Sequence, residues 1–247
     1  LPMIRPVKNE RPLVLASASP RRYELLSLLG LPFTTLQAGT EERLHPGESP
    51  PAAVQRFARE KAAAIAAQLD GRDAVAQQVD HRRAIVIGAD TAVVLDGRIL
   101  GKPAGAAEAR DMLLALRGRY HQVYTALALI PLPVGEPLAC LALTDVPMRD
   151  YADAEIERYV ASGDPFDKAG AYAIQNPAFH PVPHLTGCYA NVMGLPLCHL
   201  TAQLRRLEVY PSVDVPQVCQ AAIGYDCPVY RSILDPQAQP CHQGWRG

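Results

Sequence analysis

Residues 84–103 read AIVIGADTAVVLDGRILGKP. Ala84 to Ala89 run without a polar break, the pattern of a strand covered on both faces, and this strand is expected to end at Asp90. VVLDGRIL then folds back as a hairpin, because Asp96-Gly97 supplies two residues that tolerate the positive φ of a tight turn. A carboxylate at the end of a buried strand is where α/β folds place reactive groups. The competing reading is that Asp90 only caps the strand or forms an Asx turn.

Strands and helices alternate on either side. Before this stretch, RPLVLAS (11–17) reads as a short buried strand, SPRRYELLSLL (19–29) as a helix closed by Gly30, and PFTTLQA (32–38) as a second strand. An acidic loop, GTEERLHPGESP (39–50), leads into a helix at 51–69 whose apolar stripe is Val54, Phe57, Ile65 and Leu69. Lys61 lies on that stripe, so it either snorkels to the rim or reaches into a site. After a polar loop at 70–82, the 84–103 stretch passes to a helix at 106–118, strands at 121–130 and 139–151, and a helix at 153–163. DPFDKAGAYAIQ (164–175), rich in Gly and Ala, reads as a loop that lets a ligand approach the backbone, with Lys168 and Gln175 on it. GCYANVMGLPLCHLTAQLRRL (187–207) reads as a strand or loop followed by a helix. Three segments follow: an arm at 1–11, a principal domain at 12–209, and an extension at 210–247 that carries prolines and Cys219, Cys227 and Cys241.

The 247 residues are 49% hydrophobic and carry a formal net charge of −1, enough for one sizeable core but with no cationic field to hold nucleic acid or a membrane surface. No stretch approaches the roughly 18–20 apolar residues that span a bilayer, and a cytoplasmic location is expected. The six cysteines follow no CxxC spacing; Cys140, Cys188 and Cys198 are expected as reduced thiols. Cys219, Cys227 and Cys241 with His242 could form a small metal site, but their spacing matches no zinc pattern, and free thiols or a disulfide are the competing readings.

Arg21 and Arg22 pose a separate question. Ser19 is suited to N-cap the helix and Pro20 to its first position, so two arginines fall in a first turn that favours acids. Something negative ought to lie close by, and Arg22→Ala is expected to weaken binding of an anionic ligand such as a triphosphate while leaving stability without it equal or slightly higher. Arg21, Arg22, Lys61, Lys102 and Lys168 supply cations and Glu42 and Asp90 carboxylates, a mixture suited to a polyphosphate with a divalent metal.

The same segments resemble the Maf family, also called septum formation proteins. The resemblance spans residues 12–209 through LASASPRRYELL, the Glu of TEERLHPGE, FAREKA, GADTAVVLDGRILGKP, HQVYT, GDPFDKAGAYAIQ and GCYANVMGLPL, in the family's order. It implies an α/β fold with a twisted mixed sheet flanked by helices and two lobes about a central cleft, similar to the inosine triphosphatase fold. It further implies hydrolysis of a nucleoside triphosphate to monophosphate and pyrophosphate, with a divalent cation (Mg, Mn or Co). Asp90, Lys102 and Lys61 would be catalytic; Ser17, Arg21, Arg22, Lys168 and Gln175 would bind substrate; Glu42 and Asp90 would hold the metal. The 164–175 loop resembles the branch acting on dTTP and UTP. A 7-methyl-GTP-type enzyme, a phosphatase of terminal phosphates, and a weakly catalytic cell-division regulator are the alternatives. No nucleic acid or membrane partner is implied, and a homodimer is allowed. Three positions depart from the pattern: Gly39 and Glu41 of GTEE, where an Asp-x-Asp-Glu run is common, and Ala126, where HxVYT is commonly followed by Gly.

Overall fold

The computed structural model describes residues 11–70, 83–133, 135–235 and 237. Nearly all of the arm read at 1–11 and of the loop read at 70–82, together with Cys241 and His242, lies outside these residues. In chain order the elements are β1 (Leu13–Leu15), α1 (Pro20–Ser27), β2 (Phe33–Thr35), α2 (Pro50–Asp70), β3 (Ile85–Leu95) and β4 (Arg98–Leu100). They continue as α3 (Ala106–Leu116), β5 (Tyr120–Pro131), β6 (Leu138–Pro147), α4 (Asp153–Ala161), α5 (Tyr189–Met193), α6 (Leu197–Arg206), α7 (Val215–Ile223) and α8 (Tyr230–Leu234).

The sheet is mixed, as expected, in the order β2-β1-β3-β5-β6, with β4 pairing the far half of β3. β1 runs parallel to β2 and β3, whereas β5 is antiparallel to β3 and β6. Asp96 and Gly97, with φ of 50° and 76°, make the predicted tight turn between β3 and β4.

One boundary differs from the sequence reading. β3 does not stop at Asp90 but runs on to Leu95. β1 accompanies β3 only from Ile85 to Ile87, while β5 pairs it from Ile85 to Val94, with Asp90 opposite Ala126. The polar residue therefore marks the point just past the end of the parallel neighbour, not the end of the strand, because β5 keeps the backbone groups of Asp90 and Thr91 paired. The stretch at 187–197 forms two short helices, α5 and the start of α6, and no strand.

Alternation along β3 decides where its side chains go. Val86, Ala92 and Val94 pack with Val54, Ala58, Ala62 and Ile65 of α2, so Asp90, of the same parity, is carried on the α2 face. Ile85, Ile87 and Ala89 join the opposite core with α1 and α6, and Val93 and Leu95 join a third cluster with α3 and α4. Gly88 lets α2 lie hard against the strand: a Cβ there would stand 2.1 Å from the carbonyl oxygen of Ala58. The first part of the extension is packed, since Val215 and Cys219 of α7 enter the core that holds α1 and α6. Cys188, Cys198, Cys219 and Cys227 are free thiols, but Cys140 is disulfide-bonded, contrary to the expectation for it.

Candidate active site

The apolar stripe of α2 is buried as read, and Lys61 follows it inward: its side chain is only 12% exposed. Its Nζ lies 2.5 Å from Asp90 Oδ1 and 2.6 Å from Glu42 Oε1, so it does not merely snorkel. Two carboxylates from distant parts of the chain, one on β3 and one on the loop before α2, converge on a single ammonium group. For Asp90, burial is the largest influence and lifts the carboxyl pKa despite the attraction of Lys61 and Arg22. For Glu42, burial pulls upward too, but the Lys61 hydrogen bond and charge, with Lys102 and Arg22 behind them, outweigh it and hold the group below its ordinary value.

α1 begins as its sequence indicates, with the Ser19 side chain accepting from the N–H of Arg22 and Pro20 in the first position. The arginine itself is anchored. Its Nε donates to the Gly194 carbonyl at 2.9 Å, Nη1 to Ser17 Oγ at 3.3 Å and Nη2 to Thr91 Oγ1 at 3.1 Å. Burial lowers its pKa, and the charges of Asp90 and Glu42 act against that. The negative charge sought beside the Arg pair is thus supplied in part by the protein's own carboxylates.

This arrangement revises one expectation. Arg22→Ala would remove three bonds from a partly buried guanidinium and leave the Gly194 carbonyl without this donor, a loss of about 1–2 kcal/mol. The relief of a cation at a helix start, about 0.3–1 kcal/mol, is smaller. Thermal unfolding of the nucleotide-free variant is therefore expected at lower temperature than wild type; an equal or higher Tm would show that the bonds contribute nothing.

Ser17, Arg21, Arg22, Glu42, Lys61, Asp90, Lys102, Lys168 and Gln175 all line one open cleft of about 550 Å³, within the range of small-ligand sites and enough for a nucleotide. Lys102, just beyond β4, and Gln175 are exposed. Lys168 differs from the others. Its Nζ donates to the Asp164 carbonyl and to Asp167 Oδ1, both at 2.6 Å, and lies 2.9 Å from Asp164 Oδ1. With its donors turned to its own loop, it organises the 164–175 segment and is not the open cation that the sequence suggested.

Sequence reasoning missed the layer behind Arg22. Thr91 Oγ1 lies 2.9 Å from Thr125 Oγ1, which donates to the Asn191 carbonyl at 2.9 Å. The Asn191 amide in turn reaches the Val123 carbonyl and Thr144 Oγ1. This chain ties α5, and through it Gly194, to β5 and β6. The Asn of the otherwise apolar run ANVMGLPL (190–197) was the available signal, since such an amide must find partners when buried, as it is here.

Hard oxygen donors suit a divalent cation, and two carboxylates plus substrate phosphate oxygens are a common set for Mg²⁺. Glu42 and Asp90 meet that requirement, and the hydroxyl of Thr40, which also lines the cleft, has no bonding partner among the described residues. Among the described residues no three His, Cys, Asp or Glu side chains converge on one point, so the protein alone does not form a closed metal cage. No helix among them is long and apolar enough to cross a membrane.

The family model described as Maf-like protein matches residues 12–207. A dTTP/UTP pyrophosphatase of Chlorobium phaeovibrioides is 46% identical over 198 residues, covering 80% of this chain and 97% of that protein. A dTTP/UTP pyrophosphatase of Dictyoglomus thermophilum is 42% identical over 200 residues, again covering 80% and 97%. Among solved structures, the Ham1 protein of Staphylococcus aureus matches with a TM-score of 0.37 and 16% identity over 58% of this chain and 73% of that one, too slight a likeness to carry any inference.

Proposed function

The chain belongs to the Maf-like family, and on that footing we propose that it hydrolyses nucleoside triphosphates, dTTP and UTP foremost, to the monophosphate and pyrophosphate. The observation that carries this reading is the Glu42–Lys61–Asp90 cluster lining one cleft together with Arg21, Arg22 and Lys102. Its two curated relatives named above bear the same activity in their names over nearly their whole length.

Each group has a task that its position allows. Arg22, rigidly held by Ser17, Thr91 and Gly194, keeps part of its five-donor fork for phosphate oxygens. Arg21 and Lys102 add charge where the leaving pyrophosphate develops it. Asp90, screened from bulk solvent, would orient the water that attacks the α-phosphorus and take its proton. Lys61 fixes the orientation of both carboxylates. Glu42 and Asp90 would hold a divalent cation, which when bound would neutralise phosphate charge and assist the attacking water.

Product analysis with a panel of triphosphates tests the reading. Release of pyrophosphate with the monophosphate is expected; orthophosphate would mean a terminal phosphatase, and no turnover a binding protein. In the same panel dTTP and UTP are expected to exceed 7-methyl-GTP and ATP in kcat/KM. Gln175 carries both a donor and an acceptor at the cleft, matching the O4, N3–H pattern that uracil and thymine share. Gln175→Ala is expected to narrow the preference by about tenfold, roughly the worth of one or two hydrogen bonds. An unchanged ratio would remove Gln175 from base selection.

A further inference from the structure

Four free cysteines, Cys188, Cys198, Cys219 and Cys227, line one small apolar cavity where α7 and the segment after it cover α5 and α6. Two come from the family domain and two from the extension beyond residue 207. Three are buried; Cys227 alone is half-exposed.

The segment carrying Cys227 is clamped in place. Tyr225 donates its hydroxyl to the carbonyls of Leu185 and Gly187, each at 2.9 Å, and Gly187 is the neighbour of Cys188. The Cys227 N–H donates to Gln220 Oε1 at 2.8 Å, tying it back to α7. Within that clamp the Cys188 thiol hydrogen-bonds to the Cys227 sulfur. We propose that Cys188 and Cys227 form a reversible dithiol–disulfide site that fastens the extension to α5.

The two sulfurs are unequal in a way that suits exchange. The hydrogen bond from Cys188, with the N–H groups of Val229 and Tyr230, lowers the Cys227 thiol and makes it the readier of the two to react as a thiolate. Cys188 is raised by the same bond and by burial, and burial pushes Cys198 to about 12 and Cys219 to about 11, so these stay protonated. A metal cluster is not the better reading, since among the described residues no three such ligands converge.

The oxidant is a low-molecular-weight disulfide, RSSR. The Cys227 thiolate attacks one of its sulfurs, forming Cys227–S–SR and releasing RS⁻. Cys188 then gives its proton to RS⁻ or solvent, and its sulfur attacks Cys227 Sγ, expelling the second RS⁻, which is protonated. The balance is two protein thiols and RSSR converted to one protein disulfide and two RSH. Residues 188–227 are thereby closed into a covalent loop spanning α5, α6 and α7.

The test is peptide mapping of the reduced protein after incubation with oxidised glutathione and an acid quench. Wild type is expected to yield a 188–227 linked peptide, reversed by dithiothreitol. Cys188→Ser should stop at the mixed disulfide on Cys227, and Cys227→Ser should leave Cys188 unmodified. Inert thiols, a wild type that stalls at the mixed disulfide, or a link from Cys227 to Cys198 or Cys219 would each overturn the proposal.

Discussion

Asp90→Asn is expected to reduce kcat by at least about a hundredfold while nucleotide binding stays measurable. Removing a positioned acid–base group typically costs 10²–10⁴ in rate, and this one is also a proposed cation ligand. The amide keeps the size of the side chain and its place opposite Ala126 in the β3–β5 ladder, but can neither accept the water's proton nor attract a cation. Arg21, Arg22 and Lys102 are untouched and continue to hold phosphate. The fold should not suffer. Burial already holds the ionised carboxylate at a cost, which is why its pKa is lifted, and Lys61 keeps Glu42 as a partner. Tm at neutral pH is therefore expected to be unchanged or higher, which separates loss of chemistry from loss of structure. Near-wild-type turnover would remove Asp90 from the reaction.

The second large effect lies behind the site. Gly88→Ala is expected to lower stability by about 3 kcal/mol or more, at the upper end for overpacked interiors. The added methyl would meet a backbone carbonyl of α2, Ala58 O, at 2.1 Å and the Ala62 Cβ at 2.9 Å, and neither is the end of a flexible side chain that could swing aside. The helix must move away from the strand. Because Lys61 sits between Ala58 and Ala62 on that helix, such a shift would also draw its ammonium from Asp90, so activity should fall alongside stability. A drop in Tm of roughly 6–12 °C follows for a domain of this size. A variant with wild-type Tm and kcat would mean that α2 is not seated on β3 as described.

Much of the architecture could be read from residues in order. The capped start of α1 follows from Ser19-Pro20, the β3–β4 turn from Asp96-Gly97, and the buried face of α2 from the spacing of Val54, Phe57, Ile65 and Leu69, because each depends on atoms a few residues apart. The cations and carboxylates of the cleft could also be named, since charged residues beside apolar runs stand out, and their order along the chain carries the family resemblance. Their partnerships could not. Lys61 is 29 residues from Asp90, Arg22 is 69 from Thr91 and 172 from Gly194, and no local pattern encodes such pairings. Lys168 and Arg22 show the same limit from opposite sides. Both looked like open cations, yet Lys168 is neutralised by Asp164 and Asp167 within its own loop, whereas Arg22 is braced by neutral groups from β3 and the end of α5 and retains its charge for the cleft. Residue types and local geometry determined which chemistry was available; only the tertiary packing, by setting which charges meet and which are shielded from water, decided where that chemistry is placed.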